Sequence, residues 1–455
     1  MKKASDLRQD SIRSLVFKLA IPSMIAQLVN VLYSIIDRMY IGNIPVVGDV
    51  ALAGAGVCGP IVTLLSSFGT LIGLGGSILM AMRLGEKKKK EAEKILSNSF
   101  LLLIVFSAIL TITFLLMKDY LLIQFGASEV TFPYANTYMT IYTLGTFFAL
   151  LSIGLNYFIT CQGFSMISMT TVLIGAVTNI ILDYVFIFVF GLGIAGAAWA
   201  TVIAQILSCA FAVSFLFSKQ VPIRITFGNY SVSIIKKILS IGLCPFIILA
   251  TDSLIIIIMN SVLQKYGGPT DGDLLISTAT IVQSYMMLIT GPMIGITGGT
   301  QAIISYNYGA ASTTRVKQAE KLILTLCLVF TCCMFIVSRS LPKYFVQIFT
   351  REQELVNLSI WGIKTFTLGI IPLSLQYVFV DGLTALGRTK TALALSVFRK
   401  SSFVAFTILL PTLFAAKYTF YAEPMSDILS ACITSIVFFL VFSKHLKARE
   451  LSAKI

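Results

Sequence analysis

Residues 95–117 read ILSNSFLLLIVFSAILTITFLLM, 23 positions without a charge. A helix needs about 20 apolar residues to cross the hydrocarbon core of a bilayer. Working outward, residues 130–182 are charge-free over a length that fits two such crossings, and residues 274–314 carry no charge either. Composition agrees: hydrophobic residues make up 57% of the 455 and charged ones 12%, about half the roughly 25% typical of soluble domains. A water-soluble core cannot hide that much apolar surface, so the chain reads as an all-α integral membrane protein.

Runs and breaks predict twelve spans, near 17–41, 52–81, 95–117, 135–160, 166–190, 194–217, 237–263, 274–304, 320–340, 361–385, 391–414 and 424–443. Residues 1–13 are polar and lead straight into the first span, which predicts no cleaved leader. Orientation follows from Lys and Arg. Of the 34, 26 fall on one side: the N-terminus with Lys2, Lys3, Arg8, Arg13 and Lys18; the loop with Arg83, Lys87, Lys88, Lys89, Lys90 and Lys94; and the segment with Lys219, Arg224, Lys236 and Lys237. Arg315, Lys317 and Lys321, then Arg388, Lys390, Arg399 and Lys400, and the tail Lys444, Lys447, Arg449 and Lys454 complete the set. Both termini are therefore expected in the cytoplasm, in a multi-pass protein of the cell (inner) membrane. The net charge of +14 reads as a topology signal rather than a nucleic-acid surface, and the lysine run is placed to rest on anionic lipid head groups.

Composition also narrows the chemistry. The eight cysteines lie in apolar stretches without metal-ligand spacing and read as small core hydrophobes. The single histidine, His445, is in the basic tail, so histidine-based hydrolysis, haem ligation and zinc–histidine sites within the membrane are excluded. No nucleophile–base constellation stands out, and an enzyme is not expected.

The chain repeats itself. Phe125-Gly126, Thr143-Leu144-Gly145 and Gln162-Gly163 return as Phe349, Thr367-Leu368-Gly369 and Leu386-Gly387, each 224 positions on. A second echo pairs Gly75-Gly76-Ser77 with Gly298-Gly299-Thr300, 223 positions on, and the following basic loops share Ala92-Glu93-Lys94 and Ala319-Glu320-Lys321. Two halves of six spans follow, an N-lobe over 1–218 and a C-lobe over 219–455. Six is even, so both halves enter the membrane in the same sense, with their symmetry axis along its normal, as in transporters that rock two bundles about a central site.

The acids that stand out within the predicted spans are Asp37, Asp183, Asp252 and Asp381. Intramembrane carboxylates are costly and mark ion or proton sites by default. Asn179 and Asp183 are four apart on one helix face. Asp37 ends one outward-going span, Asp183 is late in another and Thr201 is early in an inward-going one, which brings all to the outer half. Such a set can hold a proton or a Na⁺ ion, hard cations taking oxygen ligands, or can be a structural polar knot. Asp252 sits mid-span with Gln376 at comparable depth, reading either as a cation or proton contact or as a solvated cavity wall. Asp381 precedes a basic turn, where a snorkelling ion pair with Arg388 or Lys390 competes with a functional role.

Other motifs are explained by packing. Gly54-Ala55-Gly56-Val57-Cys58-Gly59 fits a dinucleotide fingerprint but has no preceding strand, and small-residue helix contact accounts for it better. Met286, Met287 and Met293 could make adaptable ligand contacts, but core or lipid packing is the stronger reading.

With these residues in hand, the chain resembles the multidrug and toxic compound extrusion (MATE) transporters, in particular the bacterial DinF-like branch. The resemblance runs nearly end to end. It rests on Ile21-Pro22 leading to Asp37-Arg38-Met39-Tyr40-Ile41-Gly42, then Leu52-Ala53-Gly54, Met82-Arg83-Leu84-Gly85, and Gly175-Ala176-Val177-Thr178-Asn179-Ile180-Ile181-Leu182-Asp183. Gly196-Ala197-Ala198-Trp199-Ala200-Thr201 and Tyr306-Asn307-Tyr308-Gly309-Ala310 follow in order. It implies twelve helices in two pseudo-symmetric six-helix lobes, a central cavity, and drug efflux exchanged for inward H⁺ or Na⁺. Asp37, Asn179, Asp183 and Thr201 match that branch's N-lobe cation or proton site. Asp252 aligns with the acidic C-lobe ligand of the NorM-like branch, whose partner acid falls on Gln376 here, so that set is incomplete. Asp381 stands where the family places a small or neutral residue.

The expectation is a secondary active multidrug efflux antiporter that exports organic, often cationic and aromatic compounds by alternating access. The coupling ion is H⁺ or Na⁺, no cofactor is needed, and a monomer among membrane lipids suffices. The alternative within the same superfamily is a flippase for lipid-linked saccharides or lipids, against which stands the scarcity of cations in the spans.

Overall fold

The computed structural model describes residues 7–125 and 127–452, so Lys2, Lys3, Gly126 and Lys454 lie outside the described residues. Its elements are helices and turns, with no strand among the described residues. In the N-terminal half, α1 is Ile12–Gly42, α2 Gly48–Gly85, α3 Lys89–Gln124, α4 Phe132–Cys161, α5 Ser165–Tyr184 and α6 Gly193–Phe217. A non-helical segment leads to the run Val232–Gly309, broken at Gly268, whose φ of 71° only glycine adopts freely. The part before the break is α7, and its apolar continuation Leu274–Gly309 is α8. Then come α9 Thr313–Ser340, a short helix Pro342–Val346, α10 Gln353–Ala385, α11 Thr389–Leu413 and α12 Ala422–Ser452. Among the described residues, twelve helices are long and apolar enough to cross a membrane, as the sequence predicts, although they run beyond the charge-free cores.

Local chemistry sets the boundaries. Ser11 caps α1 by accepting the Ser14 N–H at 3.3 Å, satisfying one of the donors a helix start leaves free. α5 runs into a π-helical turn, Val185–Val189, that begins two residues after Asp183, the kind of local irregularity often found at functional sites. On α3, Val105, Ile109, Ile112 and Leu116 are exposed at helical spacing, a stripe suited to lipid rather than to water. The cysteine expectation needs correction for three positions. Cys58, Cys161, Cys209, Cys244 and Cys327 are buried, but Cys332, Cys333 and Cys432 are exposed, because helices at the rim of a membrane bundle keep an apolar outer face that a thiol fits equally well.

The duplication appears in backbone detail. Gly163 and Gly387, 224 apart, both end a helix with positive φ, 87° and 76°. Lys87 and Ala311 repeat the same device at φ 62° and 54°. The capping bonds repeat too: the Lys88 N–H donates to the Arg83 carbonyl and the Ser312 N–H to the Asn307 carbonyl, both at 2.9 Å. α2 and α8, equivalent helices of the two halves, cross backbone to backbone at their basic-loop ends. A Cβ on Gly85 would lie 1.9 Å from the Tyr306 carbonyl oxygen, and one on Gly309 would lie 2.0 Å from that of Met82. Gly85 and Gly309 are themselves 224 apart, as are Met82 and Tyr306, so the contact maps onto itself under a two-fold operation and the pseudo-symmetry axis passes between them.

Candidate functional site

Between the halves lies a cavity of about 460 Å³. Its N-terminal wall includes Gln27, Asn30, Asn156, Asn179, Thr201 and Gln205. Asp252, Gln376, Tyr377, Asp381, Arg399 and Lys400 face it from the C-terminal half.

Asp37, Asn179, Asp183 and Thr201, on α1, α5 and α6, come together. Asn179 Nδ2 donates to Asp183 Oδ1 at 3.4 Å and to Thr201 Oγ1 at 3.2 Å. The Thr201 hydroxyl donates in turn to the Ala197 carbonyl at 3.0 Å. The Asp37 and Asp183 carboxyls face one another at hydrogen-bonding range. Asp183 is wholly buried, and Asp37 Oδ1, Asp183 Oδ2 and Asn179 Oδ1 are buried with no donor directed at them. Two facing carboxylates without a donor between them leave room for a proton or a small cation, since buried charge must be matched. Asn179 and Thr201 touch the cavity and the two acids sit behind them, while the Tyr33 and Tyr138 rings lie within the acids' electrostatic reach and Tyr142 stacks on Tyr138 with ring centres 6.1 Å apart.

The three C-terminal candidates line one cavity but not one site. Asp252 pairs with Lys400 across α7 and α11, not with Gln376. Gln376 is buried, accepting from Thr434 and donating to the Leu395 carbonyl at 3.4 Å. Asp381 meets the side chains of Thr297 and Gln301 on α8. The ion pair expected with Arg388 or Lys390 does not form: Arg388 turns instead to His445, and Asp381 points inward to the cavity.

Two further corrections concern charge. Arg399 and Lys400, assigned from the sequence to a basic loop, lie mid-helix in α11 and face the cavity, so the count of 26 loop cations loses two. The acids inside spans are more than four, because α9 and α12 bury Glu320 and Asp427 and carry Glu423. Arg399 Nε donates to Asp427 Oδ1 at 2.8 Å and Nη2 to Glu423 Oε1 at 2.7 Å, with the guanidinium 5.9 Å from the Tyr377 ring centre. Residues 391–414 contain both cations, so basic intruders in an apolar run are a signal the sequence itself carries. Met286 and Met293 are buried in the core and Met287 is 51% exposed; none lines the cavity, which answers for packing.

The family model MatE matches residues 22–185 and again 246–409, two copies offset by the 224 positions of the internal repeat. The chain belongs to the MatE family. Its members are transporters rather than enzymes. Among curated relatives, the multidrug export protein MepA of Staphylococcus haemolyticus is 25% identical over 415 residues, covering 90% of this chain and 88% of that protein. MepA of Staphylococcus aureus strain MSSA476 is 24% identical over 425 residues, covering 93% and 92%. Among solved structures, an outward-facing multidrug resistance MATE transporter superposes with a TM-score of 0.91 at 21% identity, over 98% of this chain and 100% of that one. A MOP-superfamily transporter from Pyrococcus furiosus, described as having a binding pocket of reversed polarity, superposes at 0.90, also at 21% identity, over 99% and 100%. At that identity the likeness speaks for the fold.

Proposed function

We propose that this chain is a secondary active multidrug antiporter. It exports organic, often cationic and aromatic compounds in exchange for H⁺ or Na⁺ while an N-lobe (1–218) and a C-lobe (219–455) alternate about the cavity. It works as a monomer in the cell membrane with both termini cytoplasmic. The observation that carries the reading is the buried Asp37–Asp183 pair set behind the cavity wall, linked to it through Asn179 and Thr201. Occupation of the acids by a coupling ion and of the cavity by cargo must favour different arrangements of the lobes, or the gradient would do no work. In the arrangement described, the lobes are joined at the basic-loop end by the α2–α8 crossing, which supports cargo access from the opposite side. The export names of the MepA relatives point the same way.

Charge favours a cationic cargo. In and behind the C-terminal wall the carboxylates of Asp252, Glu423 and Asp427 outnumber the cations of Arg399 and Lys400, and Asp37, Asp183 and Asp381 add to the excess. The cavity cations, which would otherwise argue for an anionic lipid-linked cargo, are thus already matched.

The test is release of a fluorescent organic cation from proteoliposomes under an imposed pH gradient and, separately, an imposed Na⁺ gradient, in wild type and Asp183→Asn. Release driven by one gradient and abolished in a folded Asp183→Asn variant is expected and names the coupling ion. Wild-type efflux rates from that variant would overturn the assignment.

A further inference from the structure

Among the described residues, and apart from the acids at the N-terminal wall, Glu320 and Asp381 are carboxyl groups within the bundle that have no cationic partner. Glu320, on α9, is 5% exposed, and neither of its oxygens has a hydrogen-bond donor. It presses against α10 beside Asp381: a Cβ on Gly382 would lie 2.5 Å from Glu320 Oε1. Only glycine lets the carboxyl come in at that level. Asp381 faces the cavity, with Thr297 and Gln301 of α8 turned toward it. Gln301 is 3% exposed, and its Oε1 is buried without a partner. The other ionisable groups within electrostatic reach of Asp381 are Cys327 of α9, Cys244 of α7, Tyr157 of α4 and Tyr377 of α10. No lysine or arginine among the described residues acts on either carboxyl.

We propose that Asp381 and Glu320, with Gln301 and Thr297, form a second proton-binding station in the C-terminal half. A buried carboxylate with neither a cation nor a donor is not tolerated inside a membrane, so Glu320 holds a proton, and its neighbour Asp381 opens that proton to the cavity. The station lies near the basic-loop end. Glu320 is seven residues into α9 and Asp381 four before the end of α10, about 10 Å and about 6 Å along their helices. The Asp37–Asp183 pair is in the opposite half of the membrane and the opposite lobe. Rearrangement of the lobes would thus present one acid pair to each side of the membrane in turn. The proposal rests on the antiport reading and extends it: each lobe carries its own proton-exchanging pair, and more than one proton moves per cargo molecule.

The experiment uses purified full-length protein, as wild type, Glu320→Gln, Asp381→Asn and Asp183→Asn. Infrared difference spectra over a pH jump report protonated carboxyl groups directly. Glu320→Gln is expected to remove a protonated-carboxyl band that Asp183→Asn retains. In proteoliposomes, the reversal potential of cargo flux gives protons per cargo molecule, which in Glu320→Gln and Asp381→Asn should fall by about one, while equilibrium binding of a fluorescent cation is kept in Glu320→Gln, whose side chain does not line the cavity. An unchanged band together with wild-type stoichiometry and pH profile would overturn the station and leave Glu320 as packing. Should Glu320→Gln misfold, Asp381→Asn carries the same test. Loss of the band in protein whose wild type shows no gradient-driven transport would support the station and sink the antiport reading instead.

Discussion

Asp427 and Arg399 illustrate how much a single buried charge depends on its partner. Asp427 is fully buried, and its Oδ1 receives the Arg399 Nε. Removing one member of such a pair leaves the other uncompensated, a loss of about 3–5 kcal/mol, whereas exchanging both for apolar groups is often close to neutral. Asp427→Leu alone is therefore expected to lower thermal stability sharply, and Asp427→Leu with Arg399→Met to recover most of it. Equal melting temperatures for wild type and the single variant, measured in detergent, would mean that Glu423 alone suffices for Arg399. At this scale the sequence is unevenly legible. Asp37, Asn179 and Asp183 stand out because they interrupt charge-free runs, and helical spacing alone brings Asn179 to Asp183. Glu320 sits between Ala319 and Lys321 and reads as loop charge, and Arg399-Lys400 reads as a basic turn. Glu320 enters the bundle at the very start of the apolar stretch of α9, and Arg399 and Lys400 are mid-helix in α11, where their matching acids come from α7 and α12, far off in sequence.

Helices α2 and α8 meet through glycine at both basic-loop ends, and the contact leaves no room for a side chain. Gly309→Val should force α8 away from the Met82 carbonyl, with an overpacking cost of about 1–3 kcal/mol. The expected result is a lower melting temperature and a smaller population of the arrangement in which the basic-loop ends touch, read as a longer distance between spin labels on the α2–α3 and α8–α9 turns. An unaltered distance and melting temperature would show that the crossing tolerates a branched side chain. Element number, order and the two-fold repetition were readable from hydropathy and from matching glycines. The crossing itself was not, because a pattern of small residues says that helices approach closely without saying which ones.

In the molecule as a whole, the basic-loop side carries a bond between the two halves besides this crossing. Arg449 of α12 reaches Glu86, after α2, at 2.8 Å, and also the Gly309 carbonyl at 2.8 Å. Burial works to raise the Glu86 carboxyl, but hydrogen bonds and charge from Arg83 and Lys88 outweigh it and hold Glu86 below its usual 4.5. A group lowered in the folded state contributes stability above its ordinary value and loses it as pH falls through the lowered one. This bond therefore stays intact from neutrality down to about pH 5, and a change in transport rate within that range does not come from the latch. On the proposed antiport reading, alternation of the lobes requires the Glu86–Arg449 contact to break in every cycle. Cysteines placed at both positions and joined by a bifunctional thiol reagent about as long as the pair's two side chains should stop cargo release, and a cleavable reagent should restore it on reduction. Each single variant treated alike controls for reaction at the exposed Cys332, Cys333 and Cys432. Undiminished transport by the joined protein would mean that the halves do not part on this side, and that cargo crosses by a route other than alternating access.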